Sequence, residues 1–195
     1  MVEIKDGNSG NIAKVNDDNR LTTQGVVETE ELDAIKEGAG YNINTGQIVI
    51  TATTACLYIK NNEDKDMVVS AIVVGVGTPQ GGNAVFSNAV EIFIVRNPTA
   101  GTMITSPTNV DMNQNRNYGI STALTADAYK GSTGETFTDG DDIILIDQNG
   151  AGRVFAPINM VLKKGNSIGI RIVPNIDATN VEVYVAAILY LHTTV

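Results

Sequence analysis

Residues 161–174 read VLKKGNSIGIRIVP and residues 181–192 read VEVYVAAILYLH, and these two stretches decide the fold class. In the first, Ile168, Ile170 and Ile172 recur with a period of two, which places alternate side chains in a core. The residues Lys-Gly-Asn at 164–166 predict a tight turn before this strand. Pro174 ends the strand because proline has no N–H to donate to a sheet. Together the two stretches predict a C-terminal β-hairpin.

The second stretch is apolar on both faces from Val185 to Leu191. A half-buried strand alternates apolar and polar residues, whereas a strand that is apolar throughout is typical of a position buried on both faces. The sequence therefore predicts a central strand that is covered on both sides.

The rest of the chain after residue 40 also has the pattern of strands. Runs of apolar and β-branched residues alternate with turn signals rich in Gly, Asn and Asp. Many short strands with almost no helix predict an all-β chain, an antiparallel β-sandwich or barrel. The predicted strands cover residues 47–60 (with a bulge at 53–54), 67–76, 90–96, 102–105, 118–128, 142–147, 154–162, 167–173 and 181–192.

Residues 1–40 differ from the remainder of the chain. They contain no aromatic residue, and their nine acidic and four basic residues leave a charge of −5. Their short apolar groups predict an extended arm that gains order on another surface, with a disordered tail as the alternative. The segment from Thr29 to Gly38 predicts one short helix, with Thr29 as its N-cap. We therefore predict an N-terminal arm with a short helix over 1–40 and a sandwich domain over 41–195.

The composition argues against several classes of partner. The formal charge of −9 disfavours nucleic acid, because affinity for phosphate backbones comes from clustered lysine and arginine. The single cysteine, Cys56, excludes an intramolecular disulfide and is typical of assembly in a reducing cytosol. No signal peptide is predicted, and the apolar runs are too short to span a membrane. We expect neither nucleic acid nor a membrane as a partner.

Few residues are suited to catalysis. A catalytic triad or a Cys-His pair would need the only histidine, His192, and no serine lies in a Gly-x-Ser-x-Gly context. We interpret His192 as a residue on a strand face and Cys56 as a packed thiol. Glu91, Glu135 and Glu182 leave a glycosidase-type carboxylate pair open, without a positive signal for one. No catalytic residue and no cofactor site are predicted.

Two acidic turns could supply oxygen ligands to a cation. They are residues 63–66, EDKD, and residues 139–142, DGDD. Neither matches the twelve-residue calcium loop that ends in glutamate. Solvated hairpin tips are therefore the favoured interpretation, calcium at 139–142 is the alternative, and no metal site is predicted.

Two groups of residues resemble viral proteins. Residues 161–174 resemble the penultimate strand of viral jelly-roll proteins, in which a turn of the form Leu-x-Lys-Gly-Asp/Asn-Ser opens a long strand. Residues 4–21, IKDGNSGNIAKVNDDNRL, together with YNINTG at 41–46 and LYIKNNED at 57–64, resemble N-terminal segments of virion structural proteins of tailed bacteriophages. Residues 65–155 are similar to these proteins only in class.

The resemblance implies a jelly-roll β-sandwich in a non-enzymatic capsid decoration (cement) protein on the outer surface of a tailed-phage head. Such a protein would be assembled in the host bacterial cytoplasm. Its partners would be the major capsid protein and neighbouring copies of itself, as a homotrimer. In the arm, we expect partner contacts from Lys5, Lys14, Arg20 and Leu21.

Two alternatives remain open at this point. A tail, baseplate or fibre component shares nearly every one of these sequence features. A receptor- or carbohydrate-binding module belongs to a different class and would use exposed aromatic side chains to stack on a sugar. The candidates for that role are Tyr118, Tyr129 and Phe137.

Overall fold

The computed structural model describes residues 3–5, 12–15, 21–22, 29–77, 89–104, 108–112, 115–174 and 181–192, the first three ranges as backbone only. These residues form thirteen strands, one α-helix and one 3₁₀ helix. In chain order they are β1 (Glu3–Lys5), β2 (Ile12–Val15), β3 (Leu21–Thr22), α1 (Glu30–Lys36), β4 (Gly40–Ile50), β5 (Thr54–Asn61), β6 (Met67–Gly77), β7 (Ala89–Arg96), the 3₁₀ helix Gly101–Ile104, β8 (Thr108–Asn109), β9 (Ala126–Lys130), β10 (Asp141–Asn149), β11 (Gly152–Leu162), β12 (Ser167–Val173) and β13 (Val181–Leu191).

Two antiparallel sheets form the body of the protein. The four-stranded sheet has the order β11-β6-β13-β4, and the six-stranded sheet has the order β10-β7-β12-β5-β9-β8. The pairs β4–β13, β5–β12, β6–β11 and β7–β10 are nested, so the first half of the sandwich pairs with the second half in reverse order. Nested antiparallel pairs distributed over two sheets are the jelly-roll arrangement. The predicted all-β, jelly-roll-like sandwich is thereby confirmed.

Two predicted connections are wrong. Strands β12 and β13 do not form a hairpin, because β12 lies in the six-stranded sheet and β13 in the four-stranded sheet. The single strand predicted over residues 47–60 is two strands, β4 and β5, which also lie in opposite sheets. The period of two shows which side chains are buried, but it continues when the chain crosses from one sheet to the other. The pattern therefore does not show which sheet a strand joins.

Two further strand predictions are wrong or partly wrong. Residues 102–105 were expected to be extended, but residues 101–104 form the 3₁₀ helix, which begins at Gly101 with φ +56°. A side chain at Gly101 would come within 2.2 Å of the Thr136 carbonyl oxygen, so the chain can turn there only with glycine. Of the strand predicted over 118–128, only the end is extended, within β9.

The predicted short helix is confirmed as α1. The Thr29 side chain accepts a hydrogen bond from the Leu32 N–H at 3.3 Å, and three acidic residues occupy the first turn, where the helix dipole favours them. Ala34 is fully buried in the main core, so the helix packs on the sandwich. Seven residues are too few for an isolated helix, and this packing supplies its stability.

The first three strands form a separate small antiparallel sheet. Strand β1 pairs with β2, with Glu3 opposite Lys14, and β2 pairs with β3, with Val15 opposite Leu21. Ile4, Ile12, Val15 and Leu21 of the N-terminal arm thus lie on strands that pair with one another. The division at residue 40 stays a prediction, and strand β4 of the sandwich begins there at Gly40.

The core lies between the two sheets and is aliphatic. Every second residue of β13 is buried, and the facing rows of β7 and β12 are isoleucine. Burial of each such side chain contributes about 1.5–3 kcal/mol, so these rows dominate the stability of the sandwich. The fully buried large side chains from both sheets include Ile43, Ile50, Leu57, Ile59, Met67, Ile72, Ile92, Ile94, Ile168, Ile170 and Ile172.

The buried side chain of Asn61 forms hydrogen bonds to the β5–β6 turn and to the end of β11. The Asn61 amide nitrogen donates to the Lys65 and Leu162 carbonyl oxygens at 2.9 and 2.8 Å, and its amide oxygen accepts from the Glu63 N–H at 2.8 Å. Asn61 is completely buried, and these bonds satisfy its amide group. Asn61 therefore fixes the β5–β6 turn against the end of β11.

We predict that Asn61→Ala lowers the free energy of unfolding by about 1–3 kcal/mol, because the buried Leu162 carbonyl and two partly buried backbone groups lose their partner. Urea denaturation followed by circular dichroism measures the loss. Asn149→Ala, at an exposed site, is the matched control and should change the free energy by less than about 0.5 kcal/mol. Equal losses in the two variants would contradict the role assigned to Asn61.

Candidate interaction surface

His192 and Cys56 each contact other parts of the fold rather than an open site. The Nδ1 atom of His192 lies 3.0 Å from Glu30 Oε1. The backbone N–H of His192 donates to the Asp66 carbonyl oxygen. His192 therefore connects the end of β13 to α1 and to the β5–β6 turn. Cys56 is fully buried in β5, and burial raises the pKa of its thiol to about 12. A thiol that stays protonated at neutral pH is a poor nucleophile and a poor metal ligand.

The two acidic turns use their carboxylates within the fold. Asp141 accepts a hydrogen bond from Arg96 at 2.6 Å, and Asp142 accepts one from Arg171 at 2.7 Å. In the other turn, Asp64 pairs with Lys164 at 2.5 Å, and this hydrogen bond lowers the pKa of Asp64. Within the part of the chain that the structure describes, no three His, Cys, Asp or Glu residues are grouped to hold a metal ion.

The described helices were also considered as membrane spans. None of them combines the length and the apolar character that crossing a membrane requires.

The outer face of the six-stranded sheet is partly covered by the chain itself. The segment between β7 and β10 contributes β8 and β9 to the sheet, and its Phe137 packs on the outer face, where the ring lies 2.5 Å from the ideal Cβ position of Gly169. Tyr129 stacks on Tyr58, with ring centroids 5.9 Å apart. Beyond this cover the face is charged: Arg171 lies over the Phe93 ring at 4.5 Å.

The outer face of the four-stranded sheet is apolar. Cross-strand pairing places its outward side chains in four rows, each running from β11 through β6 and β13 to β4. We call this surface the apolar sheet face. Its rows are Arg153-Gly75-Tyr184-Gln47, Phe155-Val73-Ala186-Asn44, Pro157-Ala71-Ile188-Asn42 and Val161-Val68-Tyr190-Gly40.

The apolar sheet face is partly open to solvent in the described structure: Val68 and Ala71 are buried within it, and α1 covers the end at Gly40. Phe155 and Val161 on the edge strand β11 are 60% and 54% exposed, and Val73, Ala186 and Ile188 are partly exposed. Exposed apolar patches of this kind on a soluble protein mark interaction sites. The prediction that β13 is central is confirmed. The expected cover on its second side is found only in part: the outer row is half-buried, and α1 covers one end, where Ile35 lies over Gly40 and where burial and the nearby Glu30 and Glu31 raise the pKa of Tyr190.

A groove of about 730 Å³ lies at one end of this face. The Tyr184 ring forms part of its wall and lies directly over Gly75, where an added Cβ would be 1.7 Å from the ring. The Tyr184 hydroxyl accepts a hydrogen bond from Arg153 Nε at 2.7 Å, and Glu182 completes the charged lining. The groove thus borders the apolar sheet face and is lined in part by the polar side chains of Arg153, Glu182 and Tyr184.

The apolar surface continues around the open edge of the sandwich. Strands β10 and β11 are the edge strands of the two sheets on this side. Leu145 is 53% exposed on the outer side of β10, and Ile144, Ile146 and Met160 on the inner side are only partly buried. Pro157 and the irregular pairing between Pro157 and Met160 interrupt the regular ladder of β11, which discourages addition of a strand there.

The partner contacts predicted from the sequence lie elsewhere. Lys5 is in β1, Lys14 is in β2 and Leu21 is in β3, where Val15 pairs with Leu21. Arg20 lies outside the described residues. Sequence reasoning missed the apolar sheet face, although its signal was present in the apolar outer positions of β13.

The aromatic residues proposed for sugar stacking are in different environments. Tyr118 is fully exposed at a turn. Tyr129 and Phe137 pack with Tyr58 on the six-stranded sheet and are partly exposed, so part of each ring is occupied by this packing.

No protein-family model matches this chain, and a search of curated proteins also found no match.

We predict that Cys56 does not react with a thiol reagent such as DTNB in the folded protein at pH 8. With the folded pKa near 12, the thiolate form is almost absent at this pH, and the sulfur is also inaccessible. Absorbance at 412 nm should show no release of product until denaturant is added, after which one equivalent reacts. Rapid labelling of the native protein would contradict the burial of Cys56.

We predict that Gly75→Ala lowers the free energy of unfolding by about 1–3 kcal/mol, because the new methyl group displaces the Tyr184 ring. In the Tyr184→Ala background the same change should cost much less, because the ring is no longer there. A double-mutant cycle by urea denaturation at one protein concentration measures this coupling. Additive losses would show that the ring does not lie on Gly75.

Proposed function

We propose that this chain is a non-enzymatic structural protein of a virion, a capsid decoration protein on the outside of a tailed-phage head. The observation that carries the proposal is the apolar sheet face, a surface suited to a protein partner rather than to a reaction. The jelly-roll fold and the resemblance of residues 4–21 and 161–174 to virion proteins support this assignment.

The surroundings of the reactive side chains favour a structural role over an enzymatic one. Cys56 is buried and protonated, and His192 lies between α1 and the end of β13. Asp141 and Asp142 are neutralised by arginine. General acid–base or nucleophilic catalysis needs groups held next to one another in an accessible site, and these groups are dispersed and engaged with the fold.

The charge of the chain is compatible with a position outside the shell. At −9 the protein is repelled by packaged DNA, whose backbone is also negative. A decoration protein occupies many equivalent sites, which favours symmetric oligomers. In this proposal the partners are the major capsid protein and neighbouring copies of the chain, in a homotrimer.

A tail, baseplate or fibre component would have the same fold and surfaces, but a different number of copies in each virion. We expect hundreds of copies for a decoration protein, because the shell repeats its binding site. Quantitative mass spectrometry of purified virions counts the copies, and light scattering of the purified protein should give three times the chain mass of 20.6 kDa. About a dozen copies or fewer per virion would place the protein at the tail or portal instead.

We predict that deleting residues 1–27 leaves the sandwich folded and abolishes binding to capsids. All the described residues of the main core lie after this segment, so we expect the truncated chain to keep its circular dichroism spectrum and cooperative unfolding. A full-length variant with Lys5, Lys14, Arg20 and Leu21 all changed to Ala tests the four predicted contacts separately. Full capsid occupancy by the truncated protein in a co-sedimentation assay would contradict a binding role for the arm.

A further inference from the structure

We propose that a second copy of this chain covers the apolar sheet face, so that the four-stranded sheet is the surface through which copies associate. The inference deepens the proposed function, on which it rests for its biological setting, by assigning this surface to neighbouring copies. It leaves the capsid contacts to other parts of the chain.

The charge distribution is the first argument for a second copy. The chain carries a net charge of −9, so two copies repel each other over most of their surfaces. The four rows of the apolar sheet face contain a single charged side chain, Arg153, with Glu182 beside it, and the acidic Glu30 and Glu31 of α1 lie near Tyr190 at the opposite end. The middle of the face, around Phe155, is therefore the part at which two acidic copies can meet without strong repulsion.

The residue types are the second argument. Interfaces between identical subunits are more apolar than other interfaces, are depleted of charged residues, and are enriched in aromatic residues and arginine. The apolar sheet face has Phe155, Tyr184 and Tyr190 among aliphatic residues, with Arg153 at its margin. A large exposed apolar surface also favours aggregation of an isolated chain, and an identical copy is present from the moment of synthesis.

The size of the face is sufficient for a specific contact. Four strands about 4.8 Å apart and eight residues at about 3.3 Å each span a planar area of about 500 Å². Two copies would bury about 1,000 Å², the minimum for a specific interface and below the roughly 1,200–2,000 Å² of stable ones. Packing of face on face gives a two-fold pair, whereas a face-on-edge contact can close a ring such as the proposed trimer.

The first test is the molar mass of Phe155→Glu by light scattering. Phe155 is more than half exposed on an edge strand, so the substitution should leave the fold intact while it places a negative charge in the contact. We expect an oligomer for the unchanged protein and a 20.6 kDa monomer for the variant. Tyr118→Glu is the matched control, because it replaces an exposed aromatic residue away from the face, and it should remain oligomeric.

The second test does not need a disruptive substitution. Because Cys56 is buried and protonated, a cysteine introduced at the surface is the reactive thiol of the folded chain. Maleimide should label Val161→Cys at least about tenfold more slowly than Tyr118→Cys, as expected when more than nine in ten chains are associated. Adding Phe155→Glu to Val161→Cys should remove this protection.

The outcomes separate this inference from the proposed function. A monomeric unchanged protein, or equal labelling at Val161→Cys and Tyr118→Cys, would overturn the inference, while virion copy number and the arm deletion would still test the decoration role. An oligomer that dissociates in Phe155→Glu supports the inference even if few copies are found in the virion. An oligomer that survives Phe155→Glu and leaves Val161→Cys unprotected would place the contact on another surface.

Discussion

The fold depends on the burial of one aliphatic row from each sheet against the other. Strand β13 contributes a fully apolar inner row, and the isoleucines of β7 and β12 face it across the sandwich. Because a one-residue slip would turn these side chains outward, this burial fixes the register of each strand. The nested pairs of the jelly roll then bring residues distant in the chain together, such as Asn61 and the Leu162 carbonyl. The remaining features are arranged around this pairing.

The outer faces of the two sheets differ in how much of each is covered by the rest of the chain. The six-stranded sheet is partly covered by Phe137, which packs on its outer face with Tyr58 and with Tyr129 of β9, and Arg171 lies over Phe93 on its open part. The four-stranded sheet has apolar outward residues along β6, β13 and β11, with Phe155 and Val161 exposed. A second copy that covers this face would do for the one sheet what Phe137 does in part for the other. On this interpretation, association completes the packing of the fold.

The same fold engages the reactive side chains in burial or ion pairs, which agrees with the proposed structural role. The thiol of Cys56 and the carboxylates of Asp141 and Asp142 are engaged in burial or in ion pairs that hold strands together. Such ion pairs at the surface contribute little to stability, about 0–1 kcal/mol each, and they connect β10 to β7 and β12. In the proposed assembly, an acidic exterior around the apolar middle of this face would restrict association to one surface.

The sequence by itself determined the all-β class, the short helix with its Thr29 cap, and the central position of β13, because these follow from local periodicity and capping. It placed the C-terminal strands in one hairpin and residues 47–60 in one strand, since a period of two does not reveal which sheet a strand joins. Tertiary structure alone decided these pairings, because they depend on contacts between residues distant in the chain. It also decided that the apolar outer row of β13 lies on an open face beside Phe155, a relation that exists only once β6 and β11 align with β13.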